Sequence, residues 1–357
     1  MYFPNAEVFV NPVLLLLLGL ILGTLSGFFG VGGGFLITGG LLVFGVPAPF
    51  AVGTGLTLIM GSSIINTLKH RRLGNVDFKL GLFMVSGTIP ALFLAQWMIL
   101  QLKTAGLAES TIRYAYVVVL AVLGSFIIYD SWGSRRRAGG TGDSETTSTA
   151  AFSKKVQGLR LTPSSIRVPF IGRVPLYIDL PVSRIENICV LVPFGVGFLA
   201  GLFAGLLGAG GGTILMPILI YVVGVPTAVA IGTDLFQVIL TGTMGTFIKA
   251  FSNEVDPVMV VLMLAAASMG SQLGTAATRF VDAARIRFLF GITVLSGCLA
   301  VGLEQISNLG VGPAFLSNLA AILLLGVGGA ICLVIAALLI TAQLKKPATV
   351  ESDRANV

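Results

Sequence analysis

Apolar runs of roughly twenty residues, the length a bilayer core demands, recur along this chain between short polar connections. Spans fall near Gly81 to Leu100, Ile112 to Tyr129, Val258 to Thr278, Phe288 to Leu303 and Ala314 to Ala342. Two other runs are broken by glycine, at GFFGVGGGFL (Gly27 to Leu36) and GLLGAGGGTI (Gly205 to Ile214). The apolar pieces after the breaks, Phe35 to Phe44 and Thr213 to Val223, are too short to span at about 1.5 Å per residue. Each predicts a half-helix.

The two broken runs are copies of one pattern. Gly27, Gly30, Gly32, Gly33 and Gly34 correspond to Gly205, Gly208, Gly210, Gly211 and Gly212. GVPAPFAVGTGL from Gly45 answers GVPTAVAIGTDL from Gly224, and Val76-Asp77 answers Val255-Asp256. A diverged duplication explains the match.

Charge then sets the sense of each copy. The chain is 55% hydrophobic and only 10% charged, with net charge +7 and mean hydropathy +0.97, which excludes an ordinary soluble domain. Basic residues collect at Lys69 to Lys79, at Arg279 to Arg287, after the last span at Lys345 and Lys346, and in the Ser131 to Asn187 stretch. That stretch holds nine Lys/Arg against four acids. Nucleic-acid binding is the poorer reading of this charge, because Lys and Arg beside spans are retained in the cytoplasm. Gln101 to Ser110, Lys249 to Asp256 and Gln305 to Gly312 are poor in basic residues. The alternation places the N-terminus outside and the C-terminus in the cytoplasm. Lys69 to Lys79 and Lys249 to Asp256 are equivalent connections of opposite character, so the two copies cross in opposite senses. The expected fold is an all-α polytopic membrane protein of two inverted-topology repeats, with about nine full spans and two half-helices.

The expected organisation is a first membrane repeat at 1–130, a basic cytoplasmic insert at 131–187, a second repeat at 188–344 and a cytoplasmic tail at 345–357. Ser134 to Lys155, polar and Gly/Ser/Thr-rich, reads as a linker, and Val168 to Ser183 as a short extended or hairpin element. Cys189, Cys298 and Cys332 form no CxxC pair, and the single histidine, His70, rules out a His-rich metal site. No cofactor is expected.

Backbone amides cannot go unpaired in lipid, so a glycine-rich break is tolerated only where it is buried or lines a wet cavity. Free amides at a half-helix N-terminus favour an anion, and two facing copies would hold one without a buried Lys or Arg. The candidate substrate contacts are therefore Gly32, Gly33, Gly34, Gly210, Gly211 and Gly212, with Thr54, Thr233, Gln237 and Asn66. The alternative is that the glycines only let helices approach closely. A P-loop is rejected, since no Gly-Lys-Ser/Thr follows either cluster.

Asp234 is the acid placed well inside an apolar span, where ionisable groups are costly and so suggest function. Its counterpart is Gly55. Gln237 and Thr241 share its helical face. A protonated carboxyl beside an anion would donate a hydrogen bond, which suggests proton coupling; the competing reading makes Asp234 a helix cap beside Thr233. Lys69 and Arg71 read as interface charges, and Ser268, Gly270, Ser271, Gly274 and Thr275 as a packing face.

With GxGGG at Gly30 to Gly34 and Gly208 to Gly212, the following Val-Pro, and AxGT at Ala51 to Thr54 and Ala230 to Thr233, the chain resembles the sulfite exporter TauE/SafE family of membrane anion transporters. The resemblance covers nearly all of the chain outside the Ser134 to Ser183 insert. It implies movement of sulfite, sulfoacetate or a related organosulfonate across a prokaryotic cytoplasmic membrane, in the direction of export, and leaves a homodimer open. Gly55 and Asp234 depart from the Ser often found after AxGT, and the basic insert is not general. Two rival readings remain. One is a membrane scaffold or sensor whose glycines only pack helices; the other is an intramembrane enzyme, for which Asp234 lacks a carboxylate mate and a nucleophile pair.

Overall fold

The computed structural model describes residues 1–30, 34–137, 165–168, 172–175, 177–208, 211–308 and 315–344. Gly32, Gly33 and Gly210, most of the Ser134 to Lys155 linker, and the tail from 345 onward lie outside them.

The first repeat contains α1 (Pro12–Phe29), α2 (Gly34–Val43), α3 (Ala48–Arg72), α4 (Phe78–Thr104) and α5 (Ala108–Arg137). The second contains α6 (Leu191–Leu207), α7 (Gly212–Pro217, continuing as a π-helical turn over Ile218–Val223), α8 (Thr227–Phe251), α9 (Pro257–Ala277) and α10 (Ala283–Asn308). A further helix, α11 (Phe315–Leu344), follows. Among the described residues, eight helices are long and apolar enough to cross a membrane. With α6, at 17 residues, these make up the expected long helices, and α2 and Gly212–Val223 are the expected half-helices.

The boundaries repeat because the residues that set them repeat. α1 and α6 both stop at a glycine in the left-handed region, Gly30 at φ 73 and Gly208 at φ 69, a conformation that ends a helix at little cost only for glycine. α3 and α8 both start directly after a proline, Pro47 and Pro226. Asp77 and Asp256 cap α4 and α9: Asp77 Oδ1 accepts from Leu80 N at 3.0 Å, and Asp256 Oδ1 from Val258 N and Met259 N.

Among the described residues, three short hairpins lie outside the helices. β1 (Tyr2–Phe3) pairs with β2 (Val8–Phe9), β3 (Ser165–Val168) with β4 (Gly172–Pro175), and β5 (Tyr177–Leu180) with β6 (Ile185–Cys189). The hairpin expected within Val168 to Ser183 therefore comes as parts of two. The last of them is docked on the helices: Leu180, Ile185 and Ile188 join Leu80 and Met84 of α4 in one apolar cluster. Ser183 Oγ donates to Asp77 Oδ2 at 2.7 Å.

α3 and α8 run antiparallel through the centre. Gly53 lies beside Lys249, Thr246 Oγ1 donates to Thr57 Oγ1 at 3.1 Å, and Gly242 meets Met60. Around them, α1 runs parallel to α9 and α4 parallel to α6, equivalent pairs under exchange of the repeats. Glycine makes both pairs close. A β-carbon at Gly23 would lie 2.1 Å from the Ala267 carbonyl oxygen, and one at Gly197 would lie 1.9 Å from that of Met84. The small-residue face of α9 thus serves the packing expected of it. The outer surface is apolar, with Val118, Val122, Ile322 and Leu333 exposed, as a lipid-facing surface must be.

Candidate functional site

Each glycine break is seated against the opposite repeat. At Gly30 a β-carbon would fall 2.0 Å from Ile231 Cγ2, and at Gly208 one would fall 2.6 Å from Val52 Cα. Val52 and Ile231 lie near the first ends of two antiparallel 25-residue helices. These helix-end contacts are therefore separated by roughly 28 Å at 1.5 Å per residue. These are the C-terminal ends of α1 and α6, which inversion puts one near each end of the α3/α8 pair; the half-helices that follow them, α2 and α7, touch one another.

A small cavity adjoins the second break. Its volume is ≈ 10 Å³, about room for one water, and it is lined by Gly211 and Thr213 of the break together with Phe203, Leu207, Tyr116 and Leu120. Thr213 Oγ1 is buried without a hydrogen-bond partner among the described residues. Tyr116 Oη accepts from Gly39 N of α2 at 3.2 Å, and Thr38 Oγ1 donates to the Gly208 carbonyl at 3.2 Å. Gly211 has φ 78 and Gly34 opens α2, fully buried. Tyr116, Thr38 and Thr213 were missed in the sequence. The signal available was only a hydroxyl within an apolar run.

The two AxGT motifs have reciprocal partners. Asp256 N donates to Thr54 Oγ1 at 3.1 Å, and Asp77 N donates to Thr233 Oγ1 at 3.0 Å. Both threonines are fully buried. The preceding glycines clear the way, since a β-carbon at Gly53 or Gly232 would lie 2.1 Å from the carbonyl of Glu254 or Asn75. Each repeat's Gly-Thr thus clasps the other repeat's capping turn, one clasp at each end of the α3/α8 pair.

Asp234 stands two turns inside α8, so it does not cap that helix. It is 0% exposed, and neither carboxyl oxygen has a hydrogen-bond partner among the described residues. It sits one turn beyond Ile231, the residue pressed against Gly30. Gln237 and Thr241 continue the same buried face. Gln237 Nε2 donates to Thr88 Oγ1 at 2.9 Å and Asn66 Nδ2 to Ser26 Oγ at 3.1 Å, and the oxygen of each amide has no partner among the described residues. The α3/α8 register sets Asn66 and Gln237 at one height, though their bonds reach different helices, α1 and α4. Lys69 Nζ donates to Thr275 Oγ1 at 3.2 Å, so this charge is tied to α9 as well as sited at the helix end. Gln272 is exposed. Among the described residues, no cluster of His, Cys, Asp and Glu is arranged to hold a metal.

Antiparallel repeats with broken helices, each clasped by the other, define an inverted-repeat membrane protein of the secondary-transporter type. The chain belongs to the Sulfite exporter TauE/SafE family, whose model matches residues 15–303. It is 24% identical over 296 residues to the "Probable membrane transporter protein YunE" of Bacillus subtilis (strain 168), covering 80% of this chain and 96% of that protein. Its identity to the "Probable membrane transporter protein YjnA" of the same organism is 25% over 265 residues, 74% of this chain and 89% of the other. A "Probable membrane transporter protein" of Xylella fastidiosa (strain Temecula1) is 33% identical over 104 residues, 29% of this chain and 40% of that one. No solved structure matches the chain.

Proposed function

We propose that this membrane transporter moves a small sulfur-containing anion, sulfite, sulfoacetate or another organosulfonate, outward across the cytoplasmic membrane of a prokaryote, with the N-terminus outside and the C-terminus inside. The observation that carries the reading is the pair of reciprocal clasps, Thr54 to Asp256 and Thr233 to Asp77. Equivalent closures at opposite ends of inverted repeats are what alternating access requires: opening one end breaks one clasp and leaves the other intact. The anion then passes between the break at Gly211 to Thr213 and the break that Gly34 ends, using amides and hydroxyls rather than a fixed cation. Asp234, unpaired and beside the first break, is the proton carrier. Protonated, it offers a donor to the passing anion; ionised, it repels one.

One observation favours the scaffold reading instead. The cavity at the second break, at ≈ 10 Å³, has room for about one water and none for sulfite, as glycines that only pack helices would leave it. Concentration-jump electrophysiology on proteoliposomes separates the two. A transporter gives currents with sulfite and organosulfonates that saturate and exceed those with chloride. Equal, featureless responses to all of them leave the scaffold.

A further inference from the structure

Three charged side chains meet at the end of the molecule where α3 begins. Lys249, in the last turn of α8, and Glu254, in the connection to α9, are each 2% exposed, with Lys249 Nζ 2.8 Å from Glu254 Oε2. Lys103, in the last turn of α4, holds the other oxygen, Oε1, and is 36% exposed. Two ammonium groups share one carboxylate, so the cluster carries an excess positive charge, and Lys103 connects it to the surface.

The first repeat reveals that the fold does not need these charges. By the same offset that relates the repeats, Lys249 and Glu254 correspond to His70 and Asn75. Asn75 N donates to the His70 carbonyl at 3.3 Å, as Glu254 N does to that of Lys249 at 3.0 Å. The Asn75 carbonyl closes on Gly232 as the Glu254 carbonyl closes on Gly53, both at 2.1 Å from a β-carbon position. A neutral asparagine therefore builds the same corner. Because desolvating a buried ion pair costs about as much as the pair returns, the charges at this one end call for another role.

We infer that Lys249 and Lys103 form a binding site for a small oxyanion at the mouth of the pathway, with the Glu254 carboxylate occupying it until an anion displaces it. A sulfite or sulfonate head offers at least two oxygens, one for each ammonium, as the carboxylate does. Its position beside the Thr54 to Asp256 clasp puts the exchange at the seam that opens. The choice of a sulfur oxyanion rests on the transport reading above; the site itself does not.

The test uses full-length protein in detergent at fixed ionic strength, titrated with sulfite, methanesulfonate or chloride, with the thermal-unfolding midpoint as the readout. Glu254→Gln removes the resident competitor and should lower the sulfite concentration giving half-maximal stabilisation about ten-fold, while Lys103→Gln should raise it about ten-fold. If Glu254→Gln fails to fold, Lys103→Gln at its part-exposed position decides alone. Half-maximal concentrations within two-fold of the parent's would overturn the site. Liposome flux keeps the two readings apart: shifts without flux of any sulfur anion preserve the site and sink transport, and flux without shifts does the reverse.

Discussion

Replacing Thr54 by valine keeps the shape of the side chain and removes the acceptor for Asp256 N, and Thr233→Val does the same for Asp77 N. Asp256 and Asp77 are 1% and 2% exposed, so each donor is left unpaired in a dry seam. That costs about 1–3 kcal/mol, confined to states in which that end is closed. The closed-to-open ratio at that end should fall by a factor of about 5–150. Gln96 and Thr275 are equivalent positions in the two repeats, buried at opposite ends beside Ser252 and Lys69, and supply matched reporters. With Cys189, Cys298 and Cys332 replaced by serine, a single cysteine at 96 or 275 is titrated with a soluble thiol reagent. Thr54→Val should speed labelling at 96 relative to 275, and Thr233→Val should do the opposite. The double variant should restore the ratio while lowering thermal stability by the sum of the single losses. If each single variant loses stability and neither moves the ratio, the clasps are static braces and the gating argument fails.

Gly23→Leu should cost more stability than the 1–3 kcal/mol usual for overpacking and deplete protein from the membrane, because a β-carbon there already meets the Ala267 carbonyl; normal membrane yield and melting would refute the close seam. Asp234→Asn should keep anion exchange but lose acceleration by an imposed pH gradient, whereas Asp234→Leu should lose both. A full gradient response in Asp234→Asn would remove Asp234 from the coupling. Single cysteines should be labelled from outside at Ser307 and protected at Ser144, and the reverse pattern would invert the proposed orientation.

The repeats were legible because backbone-critical residues recur: Gly30 and Gly208 end helices, prolines precede α3 and α8, and Asp77 and Asp256 begin α4 and α9. Opposite sense was legible from the charge of equivalent connections, and α3 and α8 do run antiparallel. Pairing between repeats was not. Thr54 and Asp256 are 202 residues apart, and no local periodicity says that a threonine in one repeat serves an amide in the other. Lys249 reads in sequence as an ordinary charge at a helix end, and only the fold buries it against Glu254. The competing reading of Asp234 as a cap beside Thr233 fails because the helix begins earlier, immediately after Pro226. Helix–helix contact also decides which glycines pack and which break a helix, so glycine spacing alone could not separate the two.

Transport itself is tested most directly by radiolabelled sulfite and organosulfonate flux into proteoliposomes of the parent protein, without ATP, against protein-free liposomes. The account predicts saturable flux, driven by the anion gradient and accelerated by a proton gradient, for at least one sulfur anion and not for chloride. Folded, correctly inserted protein that moves none of them would contradict it.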